Sequence, residues 1–176
     1  MKTIYLIRHA DDAAQMAEKL PRPAKLYTSE LTQSTAQVIC DKWHVRHEIL
    51  PCLLAHDYRS EAEAPALAPP MMLGMPHFAT QVIETKPTFK FEDLNANVET
   101  FLKLAPKLPH RTTCVVHGEW LHLLLWRVLG FRVDAADEIA AFHAWQAQTP
   151  NPVAWYLHIG DSWETWLQVL DLDGVR

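Results

Sequence analysis

Two histidines in this chain each follow a run of residues suited to a buried strand. The first stands in Leu6-Ile7-Arg8-His9-Ala10, directly after the β-rich run Thr3–Ile7. A neutral imidazole nitrogen is nucleophilic near neutral pH, so a ring placed there can attack an electrophile such as phosphorus directly. Arg8 beside it carries a permanent charge on a planar fork of N–H groups that matches phosphate oxygens. The second histidine stands in Thr113-Cys114-Val115-Val116-His117-Gly118, where Gly118 permits a tight turn or a close backbone approach. If the two strands are neighbours, both rings stand over one sheet edge. His117 can then donate a hydrogen bond to a phosphoryl group as charge develops on it. Each histidine alone has a plainer reading, a polar residue at a strand end. The repeated order of strand, histidine, turn and helix argues against that plainer reading.

The elements that must position these residues follow from pattern. Thr3–Ile7 and Thr112–Val116 read as buried strands, with a further short strand at Leu26–Thr28. Ala10 to Leu20 has helical composition and ends at Pro21; Asp11 and Asp12 near its start favour the helix dipole. Ser29 or Thr32 can cap a second helix running to about Trp43. Ile49–Leu54 is expected to be extended, interrupted by Pro51. Leu94, Val98, Phe101 and Leu102 share one face of a helix over Phe91–Leu104, and Leu121–Leu129 is a strongly apolar helix stopped near Gly130. Val153–Ile159 and Thr165–Leu170 read as two strands about the turn Gly160-Asp161-Ser162. Alternating strands and helices predict a three-layer α/β fold, a mostly parallel central sheet flanked by helices. In such sheets ligands bind beyond the carboxyl ends of the strands, where helix N-termini offer free N–H groups and a positive dipole end.

At 176 residues the chain is long enough for one sizeable core, which predicts a single domain over residues 1–176. A hydrophobic fraction of 49% with 21% charged residues excludes the composition of disordered chains. The net charge of −5 argues against a nucleic-acid partner, which calls for a basic face, and leaves room for a small positive pocket. From about residue 56 to 90 periodicity dissolves among prolines and methionines, and this stretch reads as an insertion or lid across one face of the core. The apolar run Ile4–Ile7 is too short for a secretory leader, and no stretch approaches the roughly 20 apolar residues of a membrane span. Cys40, Cys52 and Cys114 show no CxxC spacing, and Cys114 reads as a small buried hydrophobe. A reduced, cytoplasmic protein with no membrane partner is expected. Nothing in the pattern indicates an oligomeric state.

The order of the motifs resembles that of the histidine phosphatase superfamily, the relatives of phosphoglycerate mutase. That family opens on a strand and Arg-His-Gly, to which Arg8-His9-Ala10 is similar, and closes its pocket with Ser-His-Gly, to which Val116-His117-Gly118 is similar. Between them Thr28-Ser29-Glu30-Leu31 resembles the family's Ser-Ser-Pro-Leu, and Asn151-Pro152-Val153 with the strands after it resembles the C-terminal hairpin. The likeness runs in order through nearly the whole chain, the Pro-rich middle apart. It implies a phosphoglycerate mutase-like fold and a phosphatase-like hydrolase acting on a small phosphomonoester. By the same resemblance His9 is the transient phosphohistidine, Arg8, His117 and Gly118 hold the phosphate, and neither a metal nor a cofactor is needed. The family's second arginine falls on Gln33, which can donate hydrogen bonds but brings no charge; Arg46 and Arg59 are candidates to replace it. The family's glutamate proton donor falls in direct register on Ala55, with His56 and Asp57 beside it, and Asp57 is placed ahead of Glu119 for that role. Gln33 and Ala55 keep open a second reading, a degenerate relative that binds a phosphorylated ligand or a protein without efficient turnover. A mutase ranks third, since the chain is short for a large substrate cap. The Pro-rich segment that would set specificity carries the least pattern, so the substrate is not legible.

Two other patterns lead elsewhere. His117 and His122 are five apart, whereas a zincin helix needs four, so His122 turns away from His117 and no metal site is expected. Trp145, Trp155, Trp163 and Trp166 crowd the C-terminal stretch, and packing of the last strands is preferred to an aromatic pocket wall.

Overall fold

A strand covered on both faces needs apolar side chains on both, and the runs at Thr3–Ile7 and Thr112–Val116 supply them. In the computed structural model, which describes residues 1–9, 13–55, 90–150, 153–160 and 164–169, both become central strands. The elements in chain order are β1 (Lys2–Arg8), α1 (Ala13–Lys19), β2 (Lys25–Thr28), α2 (Gln33–Trp43), β3 (His47–Ile49), α3 (Phe91–Leu104), β4 (Thr112–Val116), α4 (Gly118–Val128), α5 (Ala136–Gln146), β5 (Ala154–Ile159) and β6 (Thr165–Val169). Short 3₁₀ turns lie at Glu30–Thr32, Pro51–Leu53 and Ala105–Lys107.

The strands form one sheet of order β3-β2-β4-β1-β5-β6. The first four are mutually parallel, and β5 and β6 add an antiparallel hairpin beyond β1. Because side chains alternate along a strand, β1 and β4 divide their apolar residues between two cores. Ile4, Leu6, Cys114 and Val116 pack with Phe101 of α3, Trp120 of α4 and Phe142 of α5. Ile7 and Val115 face the other way, onto Met16 of α1 and Ala36 and Ile39 of α2. Helices therefore cover both faces, giving the expected three layers. The larger core is held by shape as well as area: Phe101 meets Trp120 edge to face at 5.0 Å, and Trp120 Nε1 donates to Cys52 O at 2.9 Å. Such an aromatic pair contributes about 0.5–1.5 kcal/mol beyond its burial.

Several expectations are corrected. The extended segment predicted at Ile49–Leu54 is a strand only as far as Ile49, after which Pro51, with its fixed φ, opens a 3₁₀ turn. The fourth helix starts at Gly118 rather than Leu121, since the chain turns into it directly after His117. Helix α5 has no counterpart in the sequence reading; among its residues only Phe142 is buried, so no apolar stripe announces it. The C-terminal tryptophans divide. Trp155 is buried, Trp145 packs at the edge of the larger core, and Trp166 is 40% exposed and stacked on His158. The Pro-rich stretch at about 56–90 lies outside the described residues except for Lys90, as do Trp163 and the Asn151-Pro152 pair. Among the described residues no helix is long and apolar enough to cross a membrane.

Candidate active site

The register of the two central strands decides where the two histidines stand. Arg8 of β1 pairs with Val116 of β4, and the ladder continues one step as His9 N–H donates to Val116 O at 2.7 Å. His9 and His117 thus leave neighbouring parallel strands at the same edge. Their rings meet edge to face, with centroids 5.5 Å apart and planes inclined by 65°. Both are half-buried. On the other side of β1, Arg8 N–H donates to Val153 O at 2.8 Å, fixing the strand end against the chain that enters β5. The Arg8 Nε is buried and makes no hydrogen bond to a described residue.

Helix α4 begins at this edge. His117 is its N-cap, in extended backbone, and its carbonyl accepts from Leu121 N–H at 3.1 Å. The amides of Gly118, Glu119 and Trp120 form the first turn, where N–H groups have no carbonyl within the helix and the dipole is positive. A guanidinium, two imidazoles and a set of helix amides therefore share one strand edge. That is a donor set for a tetrahedral oxyanion.

The start of α2 is built into the same edge by hydroxyls. Thr28, Ser29 and Thr32 are all buried; the Thr32 hydroxyl lies 2.8 Å from that of Thr28 and 3.0 Å from that of Ser29, and it donates to Val115 O at 3.1 Å. This pins the 3₁₀ turn and the first turn of α2 to β4. One turn on, Thr35 Oγ1 lies 2.6 Å from His9 Nδ1. Thr35 was not singled out in the sequence, where a threonine in the first turn of a helix reads as an ordinary cap or surface residue.

Three-dimensional comparison decides the architecture. No family model matches the sequence, and no curated protein does either. Solved structures do. An alpha-ribazole phosphatase from Shigella flexneri superposes with a TM-score of 0.58 at 16% identity, covering 96% of this chain and 95% of that one. A phosphoserine phosphatase from Entamoeba histolytica, solved with 3-phosphoglyceric acid, gives 0.60 at 16% identity and 95% of each chain. A phosphoglycerate mutase from Plasmodium falciparum gives 0.53 at 14% identity, with 97% of this chain and 91% of that one covered. The chain has the histidine phosphatase fold.

Within the histidine phosphatase fold the other predicted residues are distributed unevenly. Gly118 is the first residue of α4, beside His117. Gln33 opens α2 on its exposed side, and its Nε2 donates to Glu30 O at 3.0 Å, within its own turn. Among the described residues its side-chain hydrogen bond is thus made to its own turn and not to Arg8, His9 or His117. Arg46 cannot replace the missing arginine. It precedes β3, which runs parallel to β1, so it stands at the amino edge of the sheet, opposite the histidines. Ala55 is buried. Asp57, His56 and Arg59 lie outside the described residues. Glu119, half-buried in the first turn of α4, is the described candidate for a proton donor.

His122 has a structural setting. It is buried, its ring stands perpendicular to Trp145 at 5.8 Å, and its Nε2 lies 3.3 Å from Pro150 O. The thiols of Cys40, Cys52 and Cys114 are buried as well. Burial pushes Cys52 up to about 11 and Cys114 further, so both stay protonated at neutral pH and neither is poised as a nucleophile.

Proposed function

We propose that the protein is a phosphomonoester hydrolase of the histidine phosphatase type, a single domain over residues 1–176 that acts on a small phosphorylated substrate through a phosphohistidine at His9. The observation that carries the reading is the meeting of the His9 and His117 rings at 5.5 Å over the carboxyl ends of two adjacent parallel strands. The fold shared with phosphatases and a mutase supports it.

The chemistry runs in two steps. Arg8, His117 and the amides from Gly118 onward hold the phosphate oxygens and neutralise the charge of the transferring group. The lone pair of a His9 ring nitrogen attacks phosphorus. A nitrogen–phosphorus bond forms, the ester oxygen–phosphorus bond breaks, and Asp57 or Glu119 gives the leaving oxygen its proton. Water then attacks the phosphohistidine with its proton passing to the same carboxylate, the nitrogen–phosphorus bond breaks, and inorganic phosphate leaves. No step requires a metal or a cofactor. Gln33 takes part only if its amide leaves Glu30 O and turns toward the substrate.

The test is turnover of a generic aryl phosphate between pH 5 and 8, with His9→Ala alongside. Hydrolysis that disappears in the variant supports the reading, and hydrolysis that survives it overturns it. A second reading is favoured by the uncharged, self-engaged Gln33: a degenerate relative that binds a phosphorylated ligand or protein without efficient turnover. Vanadate or phosphate binding without hydrolysis supports that one. Gln33→Arg separates the two further, since restoring the cation adds about tenfold to kcat/KM of an enzyme and creates no turnover in a binder that lacks the proton donor.

A further inference from the structure

We propose that Thr35 is a positioning residue for His9, its hydroxyl oxygen accepting the Nδ1 proton and so placing the ring's lone pair on Nε2. The inference rests on His9 as the nucleophile. The contact is short, 2.6 Å between His9 Nδ1 and Thr35 Oγ1, and Thr35 is 3% exposed, so water competes little for its hydroxyl.

The direction of the hydrogen bond is the substance of the claim. A neutral imidazole carries one proton, and a threonine hydroxyl can either donate or accept. With the proton on Nδ1, the oxygen accepts and Nε2 is the nucleophile. With the hydroxyl donating, Nδ1 is the acceptor, Nε2 holds the proton, and attack from Nε2 is blocked. Attack from Nδ1 would require phosphorus to approach on the side that Thr35 occupies. Only the first arrangement lets the ring work without moving.

The same contact favours the transition state over the ground state. As Nε2 bonds to phosphorus, the ring gains positive charge and its Nδ1–H becomes a stronger donor, so the bond to Oγ1 tightens as the reaction proceeds. The scaffold holds the pair in register from one strand. Thr32 donates to Val115 O while His9 N–H donates to Val116 O, so successive β4 carbonyls fix both the start of α2 and the histidine.

Long-range proton–nitrogen NMR of the histidine side chains at pH 8, with His9 assigned by its loss in His9→Asn, reads the tautomer without any substrate. The full chain is expected to carry the His9 proton on Nδ1. Thr35→Val, nearly the same shape, is expected to give a mixture of tautomers, and Thr35→Ser to restore the Nδ1–H form. Turnover of an aryl phosphate is expected to follow: Thr35→Val lowers kcat about 10- to 100-fold with KM little changed, and Thr35→Ser stays within about threefold. A His9 proton found on Nε2 in the unmodified chain overturns the inference, as does Thr35→Val with unchanged tautomer and unchanged kcat. An Nδ1–H tautomer that depends on Thr35 in a chain without turnover leaves the hydrogen-bond assignment standing and overturns the phosphatase reading, and with it the positioning role.

Discussion

At the carboxyl edge of the sheet His9 and His117 stand 5.5 Å apart; at the amino edge of the same region His110 and His158 flank Thr3. There Thr3 N–H donates to His110 Nδ1 at 3.1 Å, and Thr3 Oγ1 lies 3.3 Å from His158 Nδ1, with His158 stacked on Trp166 at 5.0 Å. The amino edge also has a cavity of about 510 Å³, lined by residues including Leu102, Arg127, Val128 and Ile159. Its cation, Arg127, is bound to Glu99 at 2.8 Å. Imidazole and arginine are thus present at both edges, yet among the described residues helix amides join them at the carboxyl edge alone. The difference is chain direction. A helix that follows a parallel strand starts at the carboxyl edge and ends at the amino edge, so α4 brings amides and a positive dipole end to His117 and its carbonyl end to the other side. At the amino edge each ring and the guanidinium serve local structure.

The largest effect expected from this contrast lies in the histidines. His117→Ala is expected to lower kcat toward an aryl phosphate about 10²–10³-fold, as removal of one charge-stabilising donor does. His110→Ala and His158→Ala should leave it within about twofold in the same assay. Equal losses at both edges would remove the distinction. The arginines come next. Arg8→Lys keeps the charge and loses the fork, so kcat/KM is expected to fall about tenfold while Arg127→Lys changes it little. The smallest effect is on stability. His110→Ala removes the acceptor of a backbone N–H and is expected to cost about 0.5–1.5 kcal/mol in urea unfolding, with activity intact.

How much of this was legible in the sequence depended on whether a residue's role lay in its own neighbourhood. Strands β1 and β4 are buried on both faces, so their apolar runs read directly, and the histidines at their ends followed. Helix α3 shows a clean stripe of Leu94, Val98 and Phe101, and its predicted limits match. Helix α5 buries Phe142 alone and gave no stripe to read. Register supplied what pattern could not. Thr35 matters because the start of α2, held to β4 through Thr32, brings its hydroxyl to His9, and Arg46 fails because β3 runs parallel to β1, neither of which any local spacing encodes. Gln33, expected at the phosphate, donates instead to Glu30 O, a choice of rotamer that composition does not fix.

The central claim is a covalent bond between His9 and phosphorus. Rapid mixing with an aryl phosphate, quenching without acid and mapping the labelled peptide by mass spectrometry tests it most directly. One phosphoryl group on the peptide that carries His9, absent in His9→Ala, is the predicted result. Turnover with no phosphohistidine, or with the label on another residue, would contradict it.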